Sequence, residues 1–278
     1  MPFFETPEPV DATVEFDIGL LRVTAGERAD TVVEVLPTDP GEEVDVRAAA
    51  QTRIACSDGA LLVKGPRQRS LFGPTGSVEV RIELPAGSGV RATALIGDLL
   101  CEGRLGDCRL KTSTGHVRAG ETAAAWLRTS HGGIRLDRVR ADAELVGAGP
   151  IDAGTIGGAA TVKNLNGETV LGEVGGDLRV SSSNGAITVG VARGDVDARS
   201  ANGGIRLGEV VRGRVTLQSS AGDLEVGVGP ATAAWLDVNT RLGSVRNLLS
   251  PSDGPGGAEH TVEVRARTGI GDIEIRRP

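Results

Sequence analysis

Aromatic side chains are nearly missing from this chain of 278 residues: they make up 2% of it, with two Trp, four Phe and no Tyr. A stacking platform for bases or sugars, or the ring-filled core of a helical globule, needs more of them. Basic charge is not in excess either. Lys and Arg number 30 against 37 Asp and Glu, a formal net charge of −7. That balance argues against sequence-independent binding of DNA or RNA, which needs a basic surface to displace counterions. Cysteine is scarce, with Cys56, Cys101 and Cys108 an odd set in a long chain. Free buried thiols are expected rather than a disulfide framework. No apolar run approaches the roughly 20 residues that span a bilayer. The opening Met-Pro-Phe-Phe-Glu-Thr-Pro-Glu-Pro has neither the basic nor the apolar region of a signal peptide, so a cytoplasmic location is expected.

Glycine, by contrast, is abundant at 41 residues, together with 39% hydrophobic residues, a pairing that low-complexity disorder does not show. The glycines recur in register. Gly97, Gly115, Gly132, Gly149, Gly167, Gly185, Gly203, Gly222 and Gly243 follow one another at steps of 18, 17, 17, 18, 18, 18, 19 and 21 residues. A final copy, Gly271-Asp-Ile-Glu-Ile, comes after a step of 28 that contains a Pro/Gly-rich insertion near residues 250–258.

Within each copy the apolar residues alternate with period two. After the glycine come Ile134/Leu136, Ile151/Ala153, Ile187/Val189, Ile205/Leu207 and Leu224/Val226. Before the next glycine come Ala160/Val162, Leu178/Val180, Val196/Ala198, Val215/Leu217 and Leu236/Val238, and between the two sets stands one apolar bend residue: Val139, Ile156, Val174, Val191, Val210 or Val228. Strict alternation over four or five residues bounded by glycine predicts short strands and excludes helix. One such unit cannot bury its own apolar face, whereas stacked units bury it in continuous columns. The expected fold is therefore all-β: a parallel β-solenoid of about 18 residues per turn with three short faces, over residues 90–278. An antiparallel meander folded into a sandwich is the competing arrangement, and the near-constant step favours the coil.

Residues 1–89 fall outside the register and predict a small antiparallel β cap, with strands at 12–18, 20–24, 31–36, 52–56, 61–64 and 77–84. An uncapped solenoid end is an edge that recruits other chains. At the other end the last strand stops at Ile275, where Arg276, Arg277 and Pro278 are expected to blunt the edge. Gly115, Gly132, Gly167, Gly185, Gly203 and Gly222 are the expected turn positions. Asn166, Asn184 and Asn202 precede three of them and predict an asparagine ladder along one corner.

The Gly-Asp/Glu-Ile/Val-x-Val copies with Leu-Arg-Val and Val-Thr-Leu strands between them resemble a bacterial β-strand-repeat family of unknown function that carries the label "putative adhesin". The segments Phe4–Pro9, Lys64–Gly73 and Val262–Thr268 are similar to an actinobacterial branch of it. The resemblance covers the whole chain. It implies a solenoid and no assigned activity or catalytic residue.

Chemistry-bearing motifs are sparse. No Gly-x-Ser-x-Gly elbow and no Gly-Lys-Ser/Thr phosphate loop occurs. His116, His131, Cys101 and Cys108 fall on neighbouring turns, but the cysteines are expected inward and the histidines at a corner, so no metal site is expected. Outward rows carry mixed charge without paired carboxylates over an aromatic floor, the arrangement glycoside cleavage wants. Trp126 and Trp235 are expected outward. The most distinctive local feature is the loop between Lys64 and Gly76, where Arg67 and Arg69 precede Leu71 and Phe72. The reading that results is a non-enzymatic scaffold or interaction module without cofactor, docking a protein partner or another copy of itself. An adhesin-like surface-binding protein and a polysaccharide-active β-helix enzyme are the alternatives.

Overall fold

The computed structural model describes residues 2–66, 76–251 and 254–278. Strands make up nearly all of the regular structure, and the fold is a parallel β-solenoid with an antiparallel N-terminal part. The chain divides into two compact units, Met1–Arg138 and Val139–Pro278.

In the second unit each 18-residue turn forms one rung of two strands. Ala143–Gly147, Ala160–Asn166, Leu178–Asn184, Val196–Asn202 and Gly213–Ala221 stack in parallel as one ladder. Ile151–Ile156, Thr169–Val174, Ile187–Ala192, Ile205–Val210 and Leu224–Val228 form the other. Like residues face each other across rungs: Ile187 opposes Ile205, and Val189 opposes Leu207. These side chains are completely enclosed. Each Val, Ile or Leu buried this way contributes about 1.5–3 kcal/mol, and only the neighbouring rungs make that burial available.

The bend residue of one rung differs from expectation. Ala192, not Val191, is the inward one: it pairs with Val174 and Val210, while Val191 opposes Glu173 and Glu209 and is half-exposed. Inward positions after the register glycine follow a two-then-three spacing, as in Ile187, Val189, Ala192. The slip falls at Gly190, where an added Cβ would meet the Gly172 carbonyl oxygen at 2.4 Å.

The end of this unit departs further from expectation. The final rung, His260–Ile270 with Ile273–Arg276, does not lie outermost. It inserts between Gly213–Ala221 with Leu224–Val228 on one side and Thr232–Leu242 with Val245–Asn247 on the other. The glycine contacts give the same order, since a Cβ on Gly271 would abut Gly222 and one on Gly243 would abut Gly271. A physical reason is visible in one column. Where other rungs place Leu171, Val189, Leu207, Val226 or Ile275, the rung 232–247 places Asn247. An amide enclosed there would lose its water without a partner. Outermost, Asn247 stays exposed and its Oδ1 accepts a hydrogen bond from the Leu249 amide at 3.0 Å.

Arg276 and Arg277 consequently do not blunt an edge. The Arg276 guanidinium donates to Glu225 Oε1 at 2.8 Å. Arg277 Nη1 donates to the Val228 and Thr232 carbonyls at 3.2 and 3.0 Å and also to that of Gly229. Both arginines fasten the inserted rung to the chain beside it.

In the first unit the six cap strands expected from sequence are present, though those at 12–18 and 20–24 are one strand, Asp11–Gly26, continuous through Gly19. That strand already follows the register. Asp11–Ala25 pairs in parallel with Gly89–Gly103, and a Cβ on Gly97 would meet the Gly19 carbonyl oxygen at 2.0 Å, so the first rung lies inside residues 1–89. Among the described residues of this unit, antiparallel pairing joins Phe3–Glu5 with Asp30–Pro37, Asp30–Pro37 with Ser77–Pro85, and Arg53–Ser57 with Ala60–Lys64. One element is absent from the sequence reading, the helix Glu43–Gln51. Its Asp45 is buried and accepts from the Ser77 and Asp39 amides at 2.7 and 3.0 Å, which pins the helix to the strand Ser77–Pro85.

Candidate interaction surface

The turn positions read from sequence all hold positive φ: Gly115 and Gly132, stacked in the first unit, and Gly167, Gly185, Gly203 and Gly222, stacked in the second. Three side-chain positions beside the glycine bond to the neighbouring rung. Immediately before the glycine, Asn184 Nδ2 donates to Asn166 Oδ1 and Asn202 Nδ2 to Asn184 Oδ1, both at 3.0 Å, forming the expected ladder. Three residues before it, Thr129, Ser219, Thr240 and Thr268 donate to the glycine carbonyl of the adjacent rung at 2.8–3.0 Å. One residue after it, Asp98, Asp223 and Asp272 each accept from a backbone amide of the neighbouring rung. His116 occupies that same position, and its Nδ1 accepts from the Gly133 amide at 3.0 Å. It is a corner cap. These bonds make the asparagines structural: Asn184→Ala removes one donor and one acceptor at an exposed corner and is expected to cost about 1 kcal/mol by urea unfolding.

No group of three His, Cys, Asp or Glu side chains able to hold a metal converges among the described residues. Cys101 and Cys108 are buried and free, and Cys56 is free and half-buried. Burial pushes the Cys108 thiol up to about 12 and Cys101 well above its ordinary value. Thiols so held are protonated, not nucleophilic. Three outward carboxylates are matched by arginines: Asp197 with Arg199 at 3.0 Å, Asp237 with Arg267 at 3.0 Å and Glu225 with Arg206 at 2.7 Å. Trp126 is half-covered, with the Arg109 guanidinium 4.9 Å from its ring centre. Arg67, Arg69, Leu71 and Phe72 lie outside the described residues.

What the sequence reading passed over is the outermost rung. Strand Thr232–Leu242 pairs with His260–Ile270 on one side and with no strand on the other among the described residues. Its inward side chains Leu236 and Val238, expected in the core, are only half-buried because no described residue covers them. Large apolar residues collect here. Trp235 is 57% exposed and Leu242 66%, with Val245, Leu248 and Ile270 also exposed. Beside Trp235 opens a cavity of about 1040 Å³, lined by Arg212, Arg214, Glu259 and Glu263. There the Arg214 hydrogen bond at 3.1 Å, with Arg265 beside it, holds the Glu263 carboxyl below the usual range. An open strand edge next to a solvent-facing Trp is a protein-docking geometry, supplying main-chain hydrogen bonds and an aromatic anchor. The signals for it in the sequence were Asn247 at a core position and the step of 28 residues.

No protein-family model matches the chain, and no curated protein matches it. Among solved structures it is similar to a protein of Bacteroides fragilis described as a "putative adhesin" (14% identity, covering 99% of this chain and 95% of that one, TM-score 0.35). A "putative adhesin" of Parabacteroides merdae matches at 11% identity over 99% and 94%, TM-score 0.37. A "putative lipid binding protein" of Parabacteroides distasonis matches at 9% identity over 99% and 95%, TM-score 0.30. Two of these three descriptions name an adhesin, and at these identities their roles stay their own.

Proposed function

We propose that the chain is a non-enzymatic scaffold of the cytoplasm that binds a protein partner through the open rung at the end of its second unit. The observation that carries the reading is the strand Thr232–Leu242, whose outer side pairs with no strand among the described residues, with Trp235 and Leu242 facing solvent. Interfaces are anchored by aromatic residues near unsatisfied backbone, and edges left open in soluble proteins are otherwise blunted by proline, bulges or inward charge. The matched outward charges and the protonated buried thiols support a surface that holds rather than reacts. Three free cysteines in a fold of this size agree with a reducing compartment.

The test is capture of partners by the immobilised chain, compared with the double variant Trp235→Asp, Leu242→Asp and with Leu165→Asp, which alters an exposed apolar residue elsewhere on the second unit. The double variant is expected to lose at least tenfold in binding, and Leu165→Asp to retain it. Equal binding by all three chains removes the open rung as the docking surface.

A further inference from the structure

We propose that the partner of the open rung is a second copy of this chain, joined to it across a twofold axis by antiparallel pairing of Thr232–Leu242 with itself. The inference rests on the reading above that this rung is the docking surface, and it adds the identity of the occupant.

The edge itself is suited to pairing. Over eleven residues it has no proline, no break in register at its centre and no inward charge: Ala234, Leu236, Val238 and Thr240 point into the coil. A second strand laid along it would satisfy its free amides and carbonyls and cover Leu236 and Val238.

The sequence of the strand is self-complementary in one register. An isologous antiparallel pair has one residue on the twofold axis, facing its own copy. With Val238 on the axis, Leu236 faces Thr240, Asp237 faces Asn239 and Trp235 faces Arg241. The last pair is the informative one. Trp235 is largely exposed, and Arg241 is exposed with no ion-pair or hydrogen-bond partner among the described residues. Both side chains point outward, so pairing sets the free guanidinium of one copy over the indole of the other, and symmetry makes that contact twice. Placing the axis at Asp237 instead sets two carboxylates opposite each other, which is unfavourable. Placing it at Asn239 carries Trp235 past the strand end to Gly243 and leaves the indole uncovered.

The experiment uses the full chain. Sedimentation should give a mass of two chains at high concentration that falls to one on dilution. Trp235→Ala and Arg241→Ala each delete both symmetric contacts and should weaken dimerisation about tenfold, with the thermal unfolding of the monomer unchanged. Mild oxidation of an equal mixture of Asp237→Cys and Asn239→Cys chains should form the mixed disulfide, because these outward positions face each other, far more than either variant forms one with itself, with the unsubstituted chain as blank. A disulfide formed more readily by either variant with itself overturns the register. A chain monomeric at every concentration overturns the second copy. If that monomer still captures a partner in a Trp235-dependent manner, the docking surface stands and only its occupant is refuted. If it captures nothing, both readings fall.

Discussion

Val264→Asp is expected to unfold the C-terminal half of the coil, whereas Leu236→Asp should be tolerated. The two positions are equivalent in the repeat and face each other across adjacent rungs. Their surroundings differ because of the rung order. Val264 is completely enclosed, with Val215 on one side and Leu236 on the other. A carboxylate there has neither water nor a countercharge, and roughly 4 kcal/mol or more is the expected loss. Leu236 lies on the outermost rung and is half-buried, so an aspartate there keeps part of its hydration and about 1–2 kcal/mol is the expected cost. Had the rungs stacked in chain order, the final rung would be the edge and the ranking would reverse. Urea unfolding of the two variants therefore reads the stacking order directly, and equal losses would contradict the insertion.

The same comparison shows which properties of the fold a sequence can carry. The glycine register, the columns through Ile187 and Ile205, and the Asn166–Asn184–Asn202 ladder were all legible, because each is set by spacing within one rung and repeated in the next. Stacking order is not such a property. Any rung presents aliphatic residues at the same three or four positions, so neighbours are chosen by small differences, here Asn247 against Ile275 in one column. The connection at 248–259 is long enough for the chain to pass back and take the better arrangement. The helix Glu43–Gln51 was hidden for a related reason. Its Val44-Asp45-Val46 start alternates like a strand, and the helix is fixed by tertiary contacts of Asp45 with Ser77 and Asp39, more than thirty and six residues away. The candidate surface was invisible in the repeat for the same cause as the rung order: Leu236 and Val238 read as core until the rung covering them is known to be missing.

The smallest change with a large consequence falls at the corner glycines, where Gly185→Ala should cost at least about 3 kcal/mol although it adds one carbon. Two effects combine. Gly185 holds φ at +135°, a conformation that costs an alanine roughly 1–2 kcal/mol. Its Cβ would also lie 2.1 Å from the Gly167 carbonyl oxygen, which is backbone and is itself fixed by the rung behind it. Relief requires the two rungs to separate, breaking ladder hydrogen bonds and opening the column between Leu171 and Val189. The insertion near 250–258 supplies the controls. Gly256 has φ +54° with nothing within 4 Å of an added Cβ, so Gly256→Ala isolates the conformational effect at about 1 kcal/mol. Gly257 has open space and no positive φ, and Gly257→Ala should change stability by less than about 0.5 kcal/mol. The expected order in urea midpoints is Gly185→Ala far below Gly256→Ala, and Gly256→Ala slightly below Gly257→Ala. A Gly185→Ala chain as stable as Gly256→Ala would mean that the rungs do not approach each other at this corner, and the parallel coil itself would have to be given up.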